Sequence, residues 1–149
     1  MPPHPITPEQ ERLRHREALL KSLDWAANFA YLQAARCGIG MLVLAIVGPD
    51  WGAMGRLLVF GALYSSFGYG VGERHSDKAA IELLVVAFTD WIVYVVIQLN
   101  HGVIPFFHLS LLSAWFYWKA ILAADELKEI ESGTASGEPQ SGSATSAAP

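Results

Sequence analysis

The chain has 149 residues, room for one domain, of which 52% are apolar and only 16% charged. A soluble domain carries about 25% charge, so this balance leans toward lipid. The formal net charge of −4 is far from the basic footprint of a nucleic-acid binder, and Cys37, the sole cysteine, excludes an intramolecular disulfide and a thiolate-rich metal site.

The N-terminal stretch opens with proline-broken coil, and Thr7-Pro8-Glu9-Gln10 then reads as a helix start. Thr7 can cap, Pro8 suits the first helical position, and Gln10 completes a capping box. Leu13, Leu20 and Ala27 fall seven apart, an apolar stripe at helical spacing. Arg12, Arg14, Arg16 and Lys21 stand among Glu9, Glu11, Glu17 and Asp24. Residues 1–26 are therefore expected to form a cytoplasmic amphipathic segment. It would lie on the membrane surface, pack on the protein's own cytoplasmic side, or simply lead into the first span.

Residues 27–126 are expected to hold four transmembrane helices. The first strongly apolar run begins near Cys37, too late for a cleavable signal, so insertion is expected from the spans themselves. Span one covers 29–48, long enough to cross a core of about 30 Å, but it contains Gln33 and Arg36. Its Leu, Ile, Val and Phe residues sum to about −2.4 to −4.8 kcal/mol on the insertion scale, against about 2.5 to 3.5 for a central Arg. Insertion is marginal unless Arg36 snorkels or finds a partner. Span two covers 53–72. Gly61, Ala62, Ser66 and Gly68 give it small-residue faces, and Ala34 with Gly38 supplies another on span one. Such faces let backbones approach closely.

Span three, 80–100, is the most apolar. Its aliphatic and Phe side chains supply about −4 to −7 kcal/mol, which outweighs about +3 for the central Asp90. Span four is expected over 105–124, with Pro105 in its first turn. Beyond Glu131 the tail is small and polar, so residues 132–149 are expected to be disordered. The predicted fold is an all-α integral membrane four-helix bundle with an N-terminal amphipathic helix and a disordered C-terminal tail.

With the N-terminus inside, Arg12, Arg14, Arg16, Lys21, Arg74, Lys78, Lys119 and Lys128 all fall on the cytoplasmic side, and only Arg56 falls outside. The positive-inside rule then puts both termini in the cytoplasm. Trp51 on one side, and Trp115 and Trp118 on the other, stand where an aromatic belt belongs.

Arg36 and Asp90 are the leading candidate site. Counted from the cytoplasmic end at about 1.5 Å per residue, they fall within roughly 3 Å of the same depth. Intramembrane charges usually face the bundle interior and pair. A buried ion pair that rescues span one is therefore expected, fixing helix packing or, in the other reading, serving a transport site. His101 and His108 flank the start of the fourth helix without a shared face, so neither metal nor haem is expected. Gly68-Tyr69-Gly70 ends a complete span with no pore helix before it, unlike a potassium-channel filter. Glu73, Arg74, His75, Ser76, Asp77, Lys78 and Glu82 read as a solvated loop.

The stretch Leu63 to Lys128 resembles a loose group of small bacterial four-helix inner-membrane proteins of uncharacterised function. The likeness lies in the glycine-ended second span (FGYGVG), the polar loop ERHSDK, Ala79-Ala80 before an aliphatic span holding Asp90, and the aromatic FFHLSLLSAWFYW. It implies a bacterial inner-membrane location and no particular activity. Small four-helix membrane enzymes that handle glutathione also carry Glu-Arg near a span end, but Glu73-Arg74 alone carries no residues over.

The functional expectation is a non-enzymatic accessory or interaction subunit without a cofactor. Its partners would be the lipid bilayer and a membrane protein or further copies of itself, and no nucleic acid. The alternative is a small parallel homo-oligomeric transporter or channel centred on Arg36 and Asp90. The strong lysine and arginine bias opposes an antiparallel dual-topology dimer.

Overall fold

The computed structural model describes residues 7–101 and 109–135. They form α1 (Pro8–Val47), α2 (Trp51–Arg74), α3 (Asp77–Asn100) and α4 (Leu109–Ala135), an all-α architecture. The expected start of the fourth helix at Pro105, His108, and the tail from residue 136 lie outside the described residues.

Helix α1 begins as its sequence dictates. Thr7 Oγ1 accepts from Gln10 N at 3.3 Å, and Gln10 Oε1 accepts from Thr7 N at 3.1 Å. The two bonds close a capping box around Pro8. The helix then runs without a break to Val47, so the amphipathic segment and the first apolar stretch are one rod. No Gly or Pro falls between Glu9 and Cys37 to interrupt it. The amphipathic segment packs on the chain's own α4: Leu19 and Leu23 are buried with Leu127, and His15 Nε2 meets Glu126 Oε1 at 2.7 Å.

Short connections make the helices antiparallel. Asp50 caps α2 by accepting from Gly52 N and Ala53 N at 2.9 and 3.0 Å. Between α2 and α3, His75 takes the left-handed conformation (φ 47°) and Ser76 caps α3 by accepting from Ala79 N. The neighbours form a ring, α1 on α2, α2 on α3, α3 on α4, and α4 back on α1. Helix α4 continues past the expected Glu131 boundary to Ala135. Ser132 Oγ there donates to the Glu129 carbonyl at 3.0 Å.

Glycines set the α1–α2 spacing. A Cβ at Gly68 would stand 2.9 Å from the Ala30 Cβ, at Gly61 3.2 Å from the Cys37 Cβ, and at Gly72 3.1 Å from the Ala27 Cβ. Ala34 lies on the same seam, its carbonyl 3.8 Å from the Gly61 position. The remaining small residues expected to pack do not. Ala62 and Ser66 are exposed on α2, and Gly38 is exposed with open space beside it. The reason is rotation: at about 100° per residue, Ala62 and Ser66 turn away from the face shared by Gly61 and Gly68.

Three layers follow one another along the bundle. The end with the α2–α3 turn is a close-packed core of Leu23, Ala26, Ala30, Val71, Ala79, Ala80, Leu83, Ala87, Ala120, Ala123 and Ala124. The middle layer is polar. At the end with the α1–α2 turn the side chains of α1 and α2 are no longer buried, and Val47 is 81% and Trp51 78% exposed. The outer surface is apolar over much of its length, with Leu32, Ile39, Leu42, Ile46, Leu58, Val85, Ile92, Val96 and Leu99 all exposed. Among the described residues, α1 and α3 contain stretches long and apolar enough to cross a membrane.

Candidate functional site

The polar layer is built from one carboxylate. Asp90, on α3, holds its Oδ2 2.6 Å from Arg36 Nη2 on α1, 3.3 Å from the Tyr64 hydroxyl on α2, and 2.5 Å from Ser110 Oγ on α4. Each of the other three helices thus donates to a single oxygen. The Asp90 side chain is 13% exposed and that of Arg36 31%.

Helical spacing explains why these residues meet. Arg36 stands one residue before Cys37, whose Cβ packs against Gly61, so α1 and α2 are close enough here for Tyr64, itself fully buried, to reach the same oxygen. Charged hydrogen bonds of this kind exceed neutral ones roughly twofold. Removing a carboxylate from water without them would be costly. A second, neutral tie lies one turn away, where Gln33 Nε2 donates to Ser113 Oγ at 2.7 Å and Ser113 Oγ donates to the Leu109 carbonyl at 2.9 Å. Gln33 Oε1 and the Tyr117 hydroxyl are buried with no hydrogen-bond partner among the described residues.

On the far side of the pair from the alanine-rich core is a cavity of about 380 Å³. Arg36 and Asp90 line it together with Gly40, Arg56, Leu57, Phe60, Val93, Tyr94 and Ile97. Its walls are largely apolar and its charged groups few.

At the opposite end of the bundle, Asp77 Oδ2 meets Lys128 Nζ at 2.7 Å. That hydrogen bond, with help from the Lys78 backbone amide, holds the Asp77 carboxyl below its usual range. Arg16 and Glu131 approach to 4.0 Å. The loop residues expected to be merely solvated include two helix caps, His75 and Ser76, and this ion-paired aspartate.

The structure thus brings Arg36 to Asp90 and places Gly61, Gly68 and Ala34 on the α1–α2 seam, but not Gly38, Ala62 or Ser66. Sequence reasoning missed Tyr64, Ser110 and the Gln33–Ser113 bond. The serines offered only their spacing: Ser110 and Ser113 stand three apart in an otherwise apolar, aromatic helix, which puts both on one face without saying what that face meets. No cluster of three or more His, Cys, Asp or Glu lies together among the described residues. Compared with protein-family models, curated proteins and solved structures, the chain matches none.

Proposed function

We infer that this chain is an integral protein of the bacterial inner membrane, with four spans and both termini in the cytoplasm, and that it works as a non-enzymatic accessory or interaction subunit. One observation carries the reading of its centre. A single oxygen of Asp90 accepts from Arg36, Tyr64 and Ser110, one from each other helix, which suits a clasp that fixes the bundle. A carboxylate so fully engaged is poorly placed to take up a transported cation.

The membrane reading is supported by where charge is missing. Helix α1 from Trp25 to Val47 carries only Arg36, α2 from Leu57 to Gly72 carries none, α3 from Leu83 to Asn100 carries only Asp90, and α4 from Leu109 to Trp118 carries none. The two charges in this band neutralise each other. From Trp25 to Val47 the helix rises about 33 Å at about 1.5 Å per residue, close to a hydrocarbon core of about 30 Å. Exposed tryptophans mark both edges: Trp51 at one, and Trp25, Trp115 and Trp118 toward the other. Lys119 Nζ stands 5.2 Å from the Trp115 ring centroid, a pairing suited to the headgroup level. So broad an apolar exterior is foreign to soluble monomers.

The interaction reading rests on the small residues that the fold leaves outside. Gly55, Ala62 and Ser66 recur on one stripe of α2 and are exposed. A neighbouring helix could approach closely there.

Two experiments test this. With Cys37→Ala as background, an impermeant maleimide added to intact cells should label Pro49→Cys and spare Ser22→Cys until the membrane is opened; labelling of both from outside sinks the topology. Purification in mild detergent should recover a stoichiometric complex that Ala62→Leu with Ser66→Leu disperses while the chain stays helical. Complexes indifferent to that pair of changes count against the interaction face.

The cavity beside the ion pair favours the transporter as the second reading. Against it stands the alanine-packed end, which closes the axis beyond the polar layer. Loss of flux in Asp90→Asn with assembly intact would decide for transport.

A further inference from the structure

We propose that the cavity between α1, α2 and α3 is a binding site for an anionic amphiphile, a molecule with one carboxylate or phosphate group and a compact apolar body, whose anion sits on Arg56. The proposal rests on the reading of the chain as membrane-spanning.

Size and lining come first. The cavity of about 380 Å³ lies within the range of small-ligand sites, about 300–1,000 Å³, which are typically apolar with a few convergent polar groups. Leu57 and Phe60 of α2, and Val93 and Ile97 of α3, supply the apolar walls, while Gly40 supplies no side chain at all. The Leu57 side chain packs into that position, its Cδ1 3.0 Å from where a Gly40 Cβ would stand, so α1 and α2 close on each other along this wall.

Charge fixes the sign of the ligand. Two arginines, Arg36 and Arg56, and one aspartate, Asp90, line the cavity, so its lining carries a net positive charge. Asp90 and Arg36 are bonded to each other. Arg56 forms no ion pair with a carboxylate among the described residues, and the uncompensated charge is therefore its own. Arg56 is exposed as well as lining the cavity, and the planar fork of its guanidinium matches carboxylate and phosphate. A cation would meet this positive field and find the one carboxylate already engaged.

Position fixes the orientation. Leu57 packs beside Gly40, four residues beyond Arg36, so Arg56 stands roughly 6–8 Å along the axis from the ion pair. It lies toward the α1–α2 turn, the edge marked by Trp51. An anionic head at Arg56 would lie near the membrane boundary, with the apolar body filling the space between Leu57, Phe60, Val93 and Ile97. Bare apolar space next to an ion pair would otherwise admit water and weaken the clasp, so occupancy also shields Arg36 and Asp90.

The test uses the full chain in phosphatidylcholine nanodiscs, titrated calorimetrically with octanoate and with octanol, its neutral counterpart. Octanoate should bind saturably at one site per chain and more tightly than octanol. Arg56→Gln, a surface change that spares the fold, should weaken octanoate by roughly tenfold to a hundredfold, the worth of one charge-assisted hydrogen bond, and leave octanol unchanged. Leu57→Trp, which fills the cavity, should abolish both. Equal affinity for the two probes, or indifference to Arg56→Gln, overturns the proposal whether or not Leu57→Trp folds. Two sources share the ligand chemistry, and phosphatidylglycerol doped into the discs separates them. Competition with octanoate identifies an anionic lipid as occupant, and undiminished octanoate binding identifies a small organic acid from the aqueous side. Failure of the membrane reading appears separately, in the cysteine labelling, which does not involve Arg56.

Discussion

Ser110 Oγ donates to Asp90 Oδ2 at 2.5 Å, and through that bond α4 joins a charge pair otherwise shared by α1 and α3. Tyr64 reaches the same oxygen from α2 at 3.3 Å. Interhelical hydrogen bonds in membranes average about 0.6 kcal/mol and reach about 1.7, and those to charged acceptors run higher. Ser110→Ala should therefore cost about 1–2 kcal/mol and Tyr64→Phe, with the longer bond, under about 1. Unfolding of both variants in mixed micelles measures the order. A larger loss for Tyr64→Phe would mean that Ser110 is incidental to the clasp.

The Arg36–Asp90 pair makes a sharper demand. Replacing Asp90 by Leu takes the carboxylate away from a half-buried Arg36, and breaking a buried pair costs about 3–5 kcal/mol, an upper bound for this partly exposed one. Replacing both by Leu removes the two desolvation costs together and should restore stability or exceed it. On the proposed membrane reading, the double variant should also insert α1 more readily, since a central Arg subtracts about 2.5 to 3.5 kcal/mol there. Quantitative insertion and unfolding assays on the two single and the double variants close a mutant cycle. A double variant as unstable as either single one would show that the hydrogen bonds of Tyr64 and Ser110, rather than the charge pair, hold the layer.

Some of this architecture can be read from residue order and some cannot. Thr7, Pro8 and Gln10 announce the start of α1 because a capping box is local chemistry, complete within four residues. Arg36 and Asp90 point toward each other because a charge in an apolar run is expensive enough to require a partner at its own depth. Tyr64, Ser110 and Ser113 give no such signal. A hydroxyl can satisfy itself on its own helix backbone, as Thr89 does on the Val85 carbonyl at 2.8 Å, so its presence demands nothing across the bundle. The small residues fail for another reason. Gly61 and Ala62 are neighbours in sequence yet face different surroundings, and which of them meets α1 is set by helix rotation, a property of the assembled bundle. The unbroken α1 was hidden because the change from charged to apolar composition near Trp25 resembles a boundary, although nothing there ends a helix.

Gly68 is where the seam has least room. A Cβ there would stand 2.9 Å from that of Ala30 and 3.7 Å from the Ala27 carbonyl oxygen, so backbone rather than a flexible side-chain tip must yield. Gly68→Val should destabilise the bundle by about 1–3 kcal/mol, the usual cost of overpacking. Ser66→Val, two residues away and facing outward, should change monomer stability by less than about 0.5 kcal/mol. Comparing the two by thermal unfolding in detergent isolates the packing effect from the change in composition. Equal losses would place Ser66 on an interface as tight as that of Gly68.

The far end of the bundle carries a pH dependence of defined sign. Lys128 donates to Asp77 at 2.7 Å and holds its carboxyl below the usual range, with the Lys78 amide adding to the effect. A carboxyl whose folded value is depressed contributes stability above its unfolded value of about 3.9 and loses it as pH falls through the lower, folded value. The tie between the α3 start and α4 should therefore be fully present at neutral pH and weaken only in strong acid. Both partners are partly exposed, so the gain is small and salt screens it. Melting curves from pH 6 to pH 2 should show wild type falling more steeply than Asp77→Asn below about pH 4, and the difference should shrink in high salt. Parallel curves for the two proteins would mean that the Lys128 contact contributes nothing to holding α3 against α4.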